Sequence, residues 1–230
     1  MKLSIIIPVF NERNTILQVI EKVENAYSQE KEIIIIDDYS TDGSRELLAE
    51  YCGKRKHICL SLNDKNYGKG RCIRNGLSYA TGDFVIIQDA DLELDPLEYI
   101  GLIKVSLTEK NVDAVFGSRI FPKDGKHLGM QRIIANKLLT YSINLLYGAR
   151  LSDIMTCYKL IKREVFLSLN LKSDRFDIEA EITCKLLKKG VKIFEVPITY
   201  NPRGWDEGKK ICAKDFFKVL KAIVRYRFYE

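Results

Sequence analysis

Val85-Ile86-Ile87-Gln88-Asp89-Ala90-Asp91-Leu92-Glu93 is an apolar run that ends in three acidic residues spaced two apart. A short β-branched run closed by polar residues reads as a strand. The same pattern recurs upstream. Leu3–Val9 runs into Asn11-Glu12, residues 32–36 into Asp37-Asp38, and residues 57–62 into Asn63-Asp64. Between these runs the apolar spacing turns helical, over residues 15–27, 42–51, 70–80 and 95–107. A fifth strand follows at 113–116. Short strands alternating with helices predict an α/β protein with a mostly parallel sheet covered on both faces. In such sheets ligands bind beyond the carboxyl ends of the strands, where these polar residues cluster.

The second half is less regular. Residues 118–129 read as loop, and 132–147 as a helix whose wide apolar arc suits a core position better than a surface one. Residues 179–189 read as a helix closed by Gly190, 191–200 as a strand, and 214–229 as a terminal helix with Lys214, Lys218, Lys221 and Arg225 on one face. That terminal helix is equally compatible with packing on the sheet and with lying on an anionic membrane.

The chain of 230 residues fits one domain, and 46% hydrophobic with 30% charged residues makes disorder improbable. No apolar run approaches the roughly 20 residues that span a bilayer. The first run reads as a strand, not a signal peptide. Six scattered cysteines without a Cys-x-x-Cys pair fit a reduced intracellular protein, and two histidines argue against a His-based metal site or a Ser-His-Asp triad. From Arg203 to Glu230 there are eight basic and four acidic residues, so this stretch carries +4 of the net +6. Phosphates, anionic lipid or nucleic acid suit such a charge.

Asp89, Asp91 and Glu93 are the leading candidates for chemistry. Mg²⁺ takes hard oxygen ligands, typically one or two carboxylates plus substrate phosphates. The competing reading is an acidic loop that caps the helix near Asp95-Pro96. Asp38 is expected to meet a ribose or base edge, and Asp42 to cap the following helix. Asn66-Tyr67-Gly68-Lys69-Gly70 opens a helix whose N-terminus could attract phosphate, but without a P-loop pattern an ordinary loop–helix start is favoured. Arg119, Arg203, Lys209 and Lys210 could neutralise a pyrophosphate leaving group or an anionic acceptor.

Taken together, "IIIPVFNE", "IIIIDDYSTDGS", "NYGKG", "ATGDFVIIQDADLELDP", "FGSR" and "EVPITYNPRGWDEGKK" resemble the family 2 glycosyltransferases of GT-A fold. The dolichol-phosphate mannose and glucose synthase-like branch is the nearest in pattern, and "SDIMTCYKLIKREV" and "RFDIEAEITCKLLKKG" look like it too. The resemblance spans about residues 4–210. It implies a nucleotide-binding half (1–117), an acceptor half (118–210) and a basic C-terminal helix (211–230).

The resemblance also implies a UDP- or GDP-sugar donor, Mg²⁺ or Mn²⁺, and a polyprenyl-phosphate acceptor met peripherally on the cytoplasmic face of a membrane. It leaves no part for nucleic acid. By matching position it assigns the nucleotide sugar to Pro8, Phe10, Glu12, Ile36, Asp38, Asp89, Ala90, Asp91, Arg119, Arg203 and Lys209. It assigns the metal to Asp89, Asp91 and Glu93, and catalysis to Asp91, Arg119 and Glu181, with Asp177 nearby. Tyr39 stands where the family often has Gly and is expected to narrow that turn; Glu93 stands where some members carry Gln. The alternatives are the same fold with a soluble glycan or protein acceptor, a nucleotidyltransferase, and a non-catalytic binding module. Phe10-Asn11-Glu12-Arg13 lacks the Gly-rich loop of the second, and the acidic cluster speaks against the third.

Overall fold

The computed structural model describes residues 1–27, 29–53, 55–120, 129–202 and 213–229. Seven strands form one sheet: β1 (Leu3–Val9), β2 (Lys31–Asp37), β3 (Ile58–Leu62), β4 (Phe84–Ile87), β5 (Ala114–Ser118), β6 (Lys159–Lys162) and β7 (Ile193–Pro197). Their order is β3-β2-β1-β4-β6-β5-β7, parallel throughout except for β6, which runs against both neighbours. The isoleucines of β1 and β2 are buried whichever way they point, as both faces are covered by helices. These are α1 (Ile16–Ala26), α2 (Ser44–Cys52), α3 (Lys69–Tyr79), α4 (Tyr99–Thr108), α5 (Met130–Tyr147), α6 (Arg163–Ser168), α7 (Ile178–Lys188) and α8 (Ala213–Phe228). Gly190, at φ +73°, donates its N–H to Leu187 O and ends α7 as a left-handed cap.

Two elements escape the sequence pattern. β6 has four residues with a lysine at each end, and α6 only six, both too short for periodicity to register. The expectation of a core position for α5 is overturned. Only Asn136, Leu139, Thr140 and Ile143 of its eighteen residues are buried. α5 lies on the surface and packs with α7 and α8 around a second apolar cluster of Leu139, Ile143, Leu151, Ile154, Ala180, Cys184, Val219, Ala222, Ile223 and Tyr226. α8 is therefore packed on the body through one face. Among the described residues no helix is long and apolar enough to cross a membrane.

Candidate active site

The carboxyl ends of β1, β2 and β4 lie side by side, since Val9 pairs with Asp37 and Ile6 with Ile87. The first two loops beyond them are tied to each other. Asn11 N–H donates to Ser40 Oγ (2.9 Å), Thr41 N–H to Asn11 Oδ1 (2.8 Å) and Glu12 N–H to Ser44 Oγ (3.0 Å). Asp42 accepts from Arg13 N–H (3.0 Å) and from the N–H and hydroxyl of Ser44 (3.0 and 2.6 Å), so it secures both the start of α2 and the first loop. Thr15 Oγ1 then ties the first loop to the third by donating to Ala90 O at 2.9 Å. Tyr39 adopts φ +65°, which costs a non-glycine residue about 1–2 kcal/mol. Tyr39 is 46% exposed and its ring lies 5.3 Å from the Arg45 guanidinium, so the side chain faces out from that turn.

Asp38 is 3% exposed, and its carboxylate is held by the protein's own donors. Oδ1 accepts from Asn63 Nδ2 and Tyr67 N–H, both at 2.9 Å, and Oδ2 accepts from Gly68 N–H at 2.7 Å. Asp38 thus supplies the negative charge at the N-terminus of α3. Three residues beyond Gly68, Arg71 N–H donates to Asp174 O at 3.1 Å. A Cβ on Gly68 or Gly70 would stand 2.5 Å from the carbonyl oxygens of Asp174 or Ser173, so these glycines let segment 173–175 lie against the helix start. The favoured reading of this motif, an ordinary loop–helix start, matches that packing.

The sequence pattern gave no sign of what Lys69 does. Its ammonium sits 2.7 Å from Asp89 Oδ1 and 3.0 Å from Glu179 Oε1, and Glu179 Oε2 is in turn paired with the fully buried Lys159. Burial works against the charge on Lys69, but Asp89 and Glu179 outweigh it and hold the amine well above its usual range. Burial likewise opposes the Asp89 carboxylate, and Lys69 reverses the effect and lowers it. Lys159 is lowered by burial, with Glu179 only partly restoring it.

Asp91 is 8% exposed and accepts Glu93 N–H at 3.1 Å; Glu93 Oε2 accepts the Tyr200 hydroxyl at 2.8 Å. Among the described residues no three acidic, His or Cys side chains gather closely enough to hold a metal ion by themselves. Of the three carboxylates expected at a metal, Asp89 meets Lys69 and Glu93 meets Tyr200.

Arg119 follows β5 and is gripped by Asp153, which accepts Nε at 2.8 Å, Nη2 at 3.0 Å and the backbone N–H at 3.0 Å. Asn136 of α5 donates to the same carboxylate at 2.7 Å. Burial opposes both charges, yet each raises the other's ionised form: Arg119 is shifted up and Asp153 down. Arg119 also lies 5.5 Å from the Tyr200 ring. It is a positioned cation, not a loosely solvated loop arginine.

Three residues named from the resemblance fall elsewhere. Glu181 is fully buried and accepts Lys172 N–H (2.8 Å) and Ser173 N–H (2.7 Å), with Lys185 at 2.6 Å; it braces segment 172–173 away from the cleft. Glu179, two residues earlier and so on the opposite side of α7, lines the cleft in its place. Ile36 is buried in the sheet core and does not reach the cleft. Asp177 sits at the N-cap of α7, also outside the cleft lining. Arg203, Lys209 and Lys210 lie outside the described residues.

The remaining assigned residues meet in one cleft of about 800 Å³. Pro8, Phe10, Glu12 and Asp38 line one part, Asp89, Ala90, Asp91 and Arg119 another, with Lys69, Arg175 and Glu179 beside them. The cleft then passes between α5 and α8, where Ala135, Leu139, Met155, Phe216 and Val219 make it apolar.

The glycosyltransferase AglJ of Haloferax volcanii is 32% identical over 204 residues, covering 86% of this chain but only 63% of the relative's length. Glucosyl-3-phosphoglycerate synthase of Mycobacterium tuberculosis superposes with a TM-score of 0.75 at 20% identity, over 100% of this chain and 82% of the other. The same enzyme in complex with Mn²⁺, UDP and phosphoglyceric acid gives 0.74 at 18% identity, over 100% and 79%. These structures confirm the GT-A architecture expected of the sequence. The profile described as Glycosyl transferase family 2 matches residues 4–169. With more than half of its length matched by that profile, the chain belongs to glycosyl transferase family 2.

Proposed function

We propose that this chain transfers a hexose, with inversion, from a UDP- or GDP-sugar to a polyprenyl phosphate at a membrane surface. The observation that carries this reading is the two-sided character of the cleft. One part of its lining carries Asp38, Asp89 and Asp91 with Arg119 and Arg175, and α5 and α8 add the apolar Ala135, Leu139, Phe216, Phe217 and Val219 beside Gln131, Arg132, Asn136 and Asp215. A phosphate on a hydrocarbon tail fits that sequence of surfaces. The family membership and the relative AglJ support the transferase activity.

Residues 1–117 form the nucleotide half in this reading and 118–210 the acceptor half. Pro8, Phe10, Glu12 and Asp38 hold the nucleotide. Arg119, fixed by Asp153, meets phosphate oxygens without first having to be ordered. Arg203 and Lys209 are assigned the same neutralising role on the resemblance alone. The acceptor phosphate is already an anion at neutral pH, so the reaction needs no strong base. Glu179, 2% exposed and backed by Lys159, is placed to orient sugar or acceptor.

The donor chemistry also fits a divalent ion of the Mg²⁺ or Mn²⁺ type. Such ions are commonly held by one or two carboxylates with the diphosphate and water completing the shell, so Asp91 suffices as anchor. Bound there, the ion would supply neutralisation of the diphosphate leaving group. The M. tuberculosis enzyme was solved with Mn²⁺ or Mg²⁺ and UDP. Its phosphoglyceric acid ligand is also a phosphorylated compound, which keeps a soluble phosphorylated acceptor as the second reading.

The test incubates purified chain with labelled UDP- or GDP-hexose, Mn²⁺ and either polyprenyl phosphate or water-soluble acceptors. Label is expected in the organic phase, and Asp91→Ala should cut it by about a hundredfold or more. Label confined to soluble product would assign a soluble acceptor. Donor binding without turnover would make the chain a binding module.

A further inference from the structure

The outer face of α5 is not explained by the transfer reaction. Met130, Ile134, Leu138, Tyr141 and Leu145 are 72, 53, 53, 66 and 69% exposed. At about 100° per residue they fall within an arc of roughly 80°, opposite the buried Asn136, Leu139, Thr140 and Ile143. The stripe runs from Met130 to Leu145, about 23 Å at 1.5 Å per residue. A soluble surface helix normally shows the reverse polarity, and contiguous exposed apolar residues mark an interaction site.

α8 extends the surface. Its buried Val219, Ala222 and Ile223 meet α7 in the cluster that also takes Leu139 and Ile143 of α5. The outer face of each helix therefore points away from that cluster. On α8 that outer face shows Phe217, Val224 and Phe228, flanked by Lys218, Lys221 and Arg225 on one side and Arg227 on the other. α5 contains no acidic residue, and the one acidic residue described on α8, Asp215, is 8% exposed. Every exposed charge described on the two helices is positive. Gln131, Arg132 and Ala135 of α5 and Asp215, Phe216 and Phe217 of α8 line the cleft, so the cleft reaches these same helices.

We propose that the outer faces of α5 and α8 form one docking surface for an anionic lipid bilayer. The apolar stripe enters the interface and the basic rim meets lipid phosphates. The rim decides between occupants. A second copy would bring like charge against like charge, whereas anionic headgroups complement it. The purpose of the surface rests on the lipid-acceptor reading, since docking sets the cleft mouth where a polyprenyl phosphate resides; its existence does not.

Flotation of the purified full chain with phosphatidylglycerol-containing and pure phosphatidylcholine vesicles tests this. The chain should float with the anionic vesicles and detach as salt rises. Leu138→Glu with Leu145→Glu should reduce the bound fraction about tenfold or more. Lys221→Glu with Arg225→Glu should abolish the preference for anionic lipid. All four side chains are exposed, and an unchanged Tm and circular dichroism spectrum would confirm intact folding. Failure of the wild type to float, flotation unaffected by either pair, or a solution dimer dispersed by Leu138→Glu would each overturn the proposal. Transfer to a short-chain polyprenyl phosphate in detergent needs no bilayer. Its loss with normal flotation would refute only the acceptor reading, and its presence without flotation only the docking surface.

Discussion

Glu179 and Glu181 differ by one helical half-turn and serve different ends. Glu179 joins Lys69 and Lys159 at the cleft, while Glu181 accepts two backbone amides of segment 172–173. Glu179→Gln keeps the shape but removes the charge facing Lys69. It is expected to lower kcat by about a hundredfold while leaving nucleotide affinity nearly unchanged. Glu181→Gln keeps one acceptor oxygen and loses the Lys185 pair. It should lower Tm, by the equivalent of about 1–3 kcal/mol, with kcat per folded molecule preserved. Steady-state kinetics beside thermal denaturation checks both; a larger kcat loss from Glu181→Gln would reverse the assignment. The sequence alone could not choose between them, because the phase of α7 against the sheet is set by tertiary packing. The acids at strand ends were easier to read, since strand direction alone puts Asp38, Asp89 and Asp91 at one edge. Their partners were not readable: Lys69 is 20 residues before Asp89, and nothing in that spacing announces a contact.

Among the elements, the opposite edge of the sheet is secured by one carboxylate. Glu32, near the start of β2, accepts Ser4 Oγ (2.5 Å) from β1 and both Thr81 N–H (2.6 Å) and Thr81 Oγ1 (2.8 Å) from the approach to β4, with Lys2 at 3.0 Å. Burial works against its charge, but these donors outweigh it and bring the carboxyl from the ordinary 4.5 down to about 2. A carboxyl whose folded pKa is depressed adds stability above its unfolded pKa, and that stability is lost as pH falls through the folded value. The stability gap between wild type and Glu32→Gln should therefore be full above about pH 5 and shrink steadily toward pH 2. Urea unfolding across that range measures it, and a pH-independent gap would show that packing, not ionisation, carries the effect. The parallel half of the sheet was legible because β1, β2 and β4 are continuous β-branched runs. β6 was not, since its Lys159 breaks the pattern and is buried only by virtue of Glu179 and backbone carbonyls.

For the molecule as a whole, the question is whether α8 is an appendage or part of the folded body. A basic C-terminal helix following residue 210 reads naturally as a separate tail, and the charge asymmetry encourages that division. The packing argues otherwise. Val219, Ala222, Ile223 and Tyr226 are at most 6% exposed and complete the cluster with Leu139, Ile143, Ala180 and Cys184. Tyr147 of α5 donates its hydroxyl to Ile223 O at 3.1 Å, and Tyr226 shares a 3.2 Å hydrogen bond with Ser173. Segment 173–175 in turn lies against Gly68 and Gly70 at the start of α3, so α8 buttresses the wall that faces the nucleotide half. Truncation before residue 213 would strip apolar cover from α5 and α7. Burial of each large apolar side chain contributes about 1.5–3 kcal/mol, so losing Val219, Ile223 and Tyr226 removes several kcal/mol, a large share of the stability of a typical domain. The truncated chain is expected to unfold at much lower temperature, and its loosened 173–175 segment to weaken nucleotide binding although no cleft residue of β1, β2 or β4 has changed. Calorimetry with and without UDP checks both effects. An unchanged Tm after truncation would mean that the helix is a detachable tail and that the second cluster is closed without it.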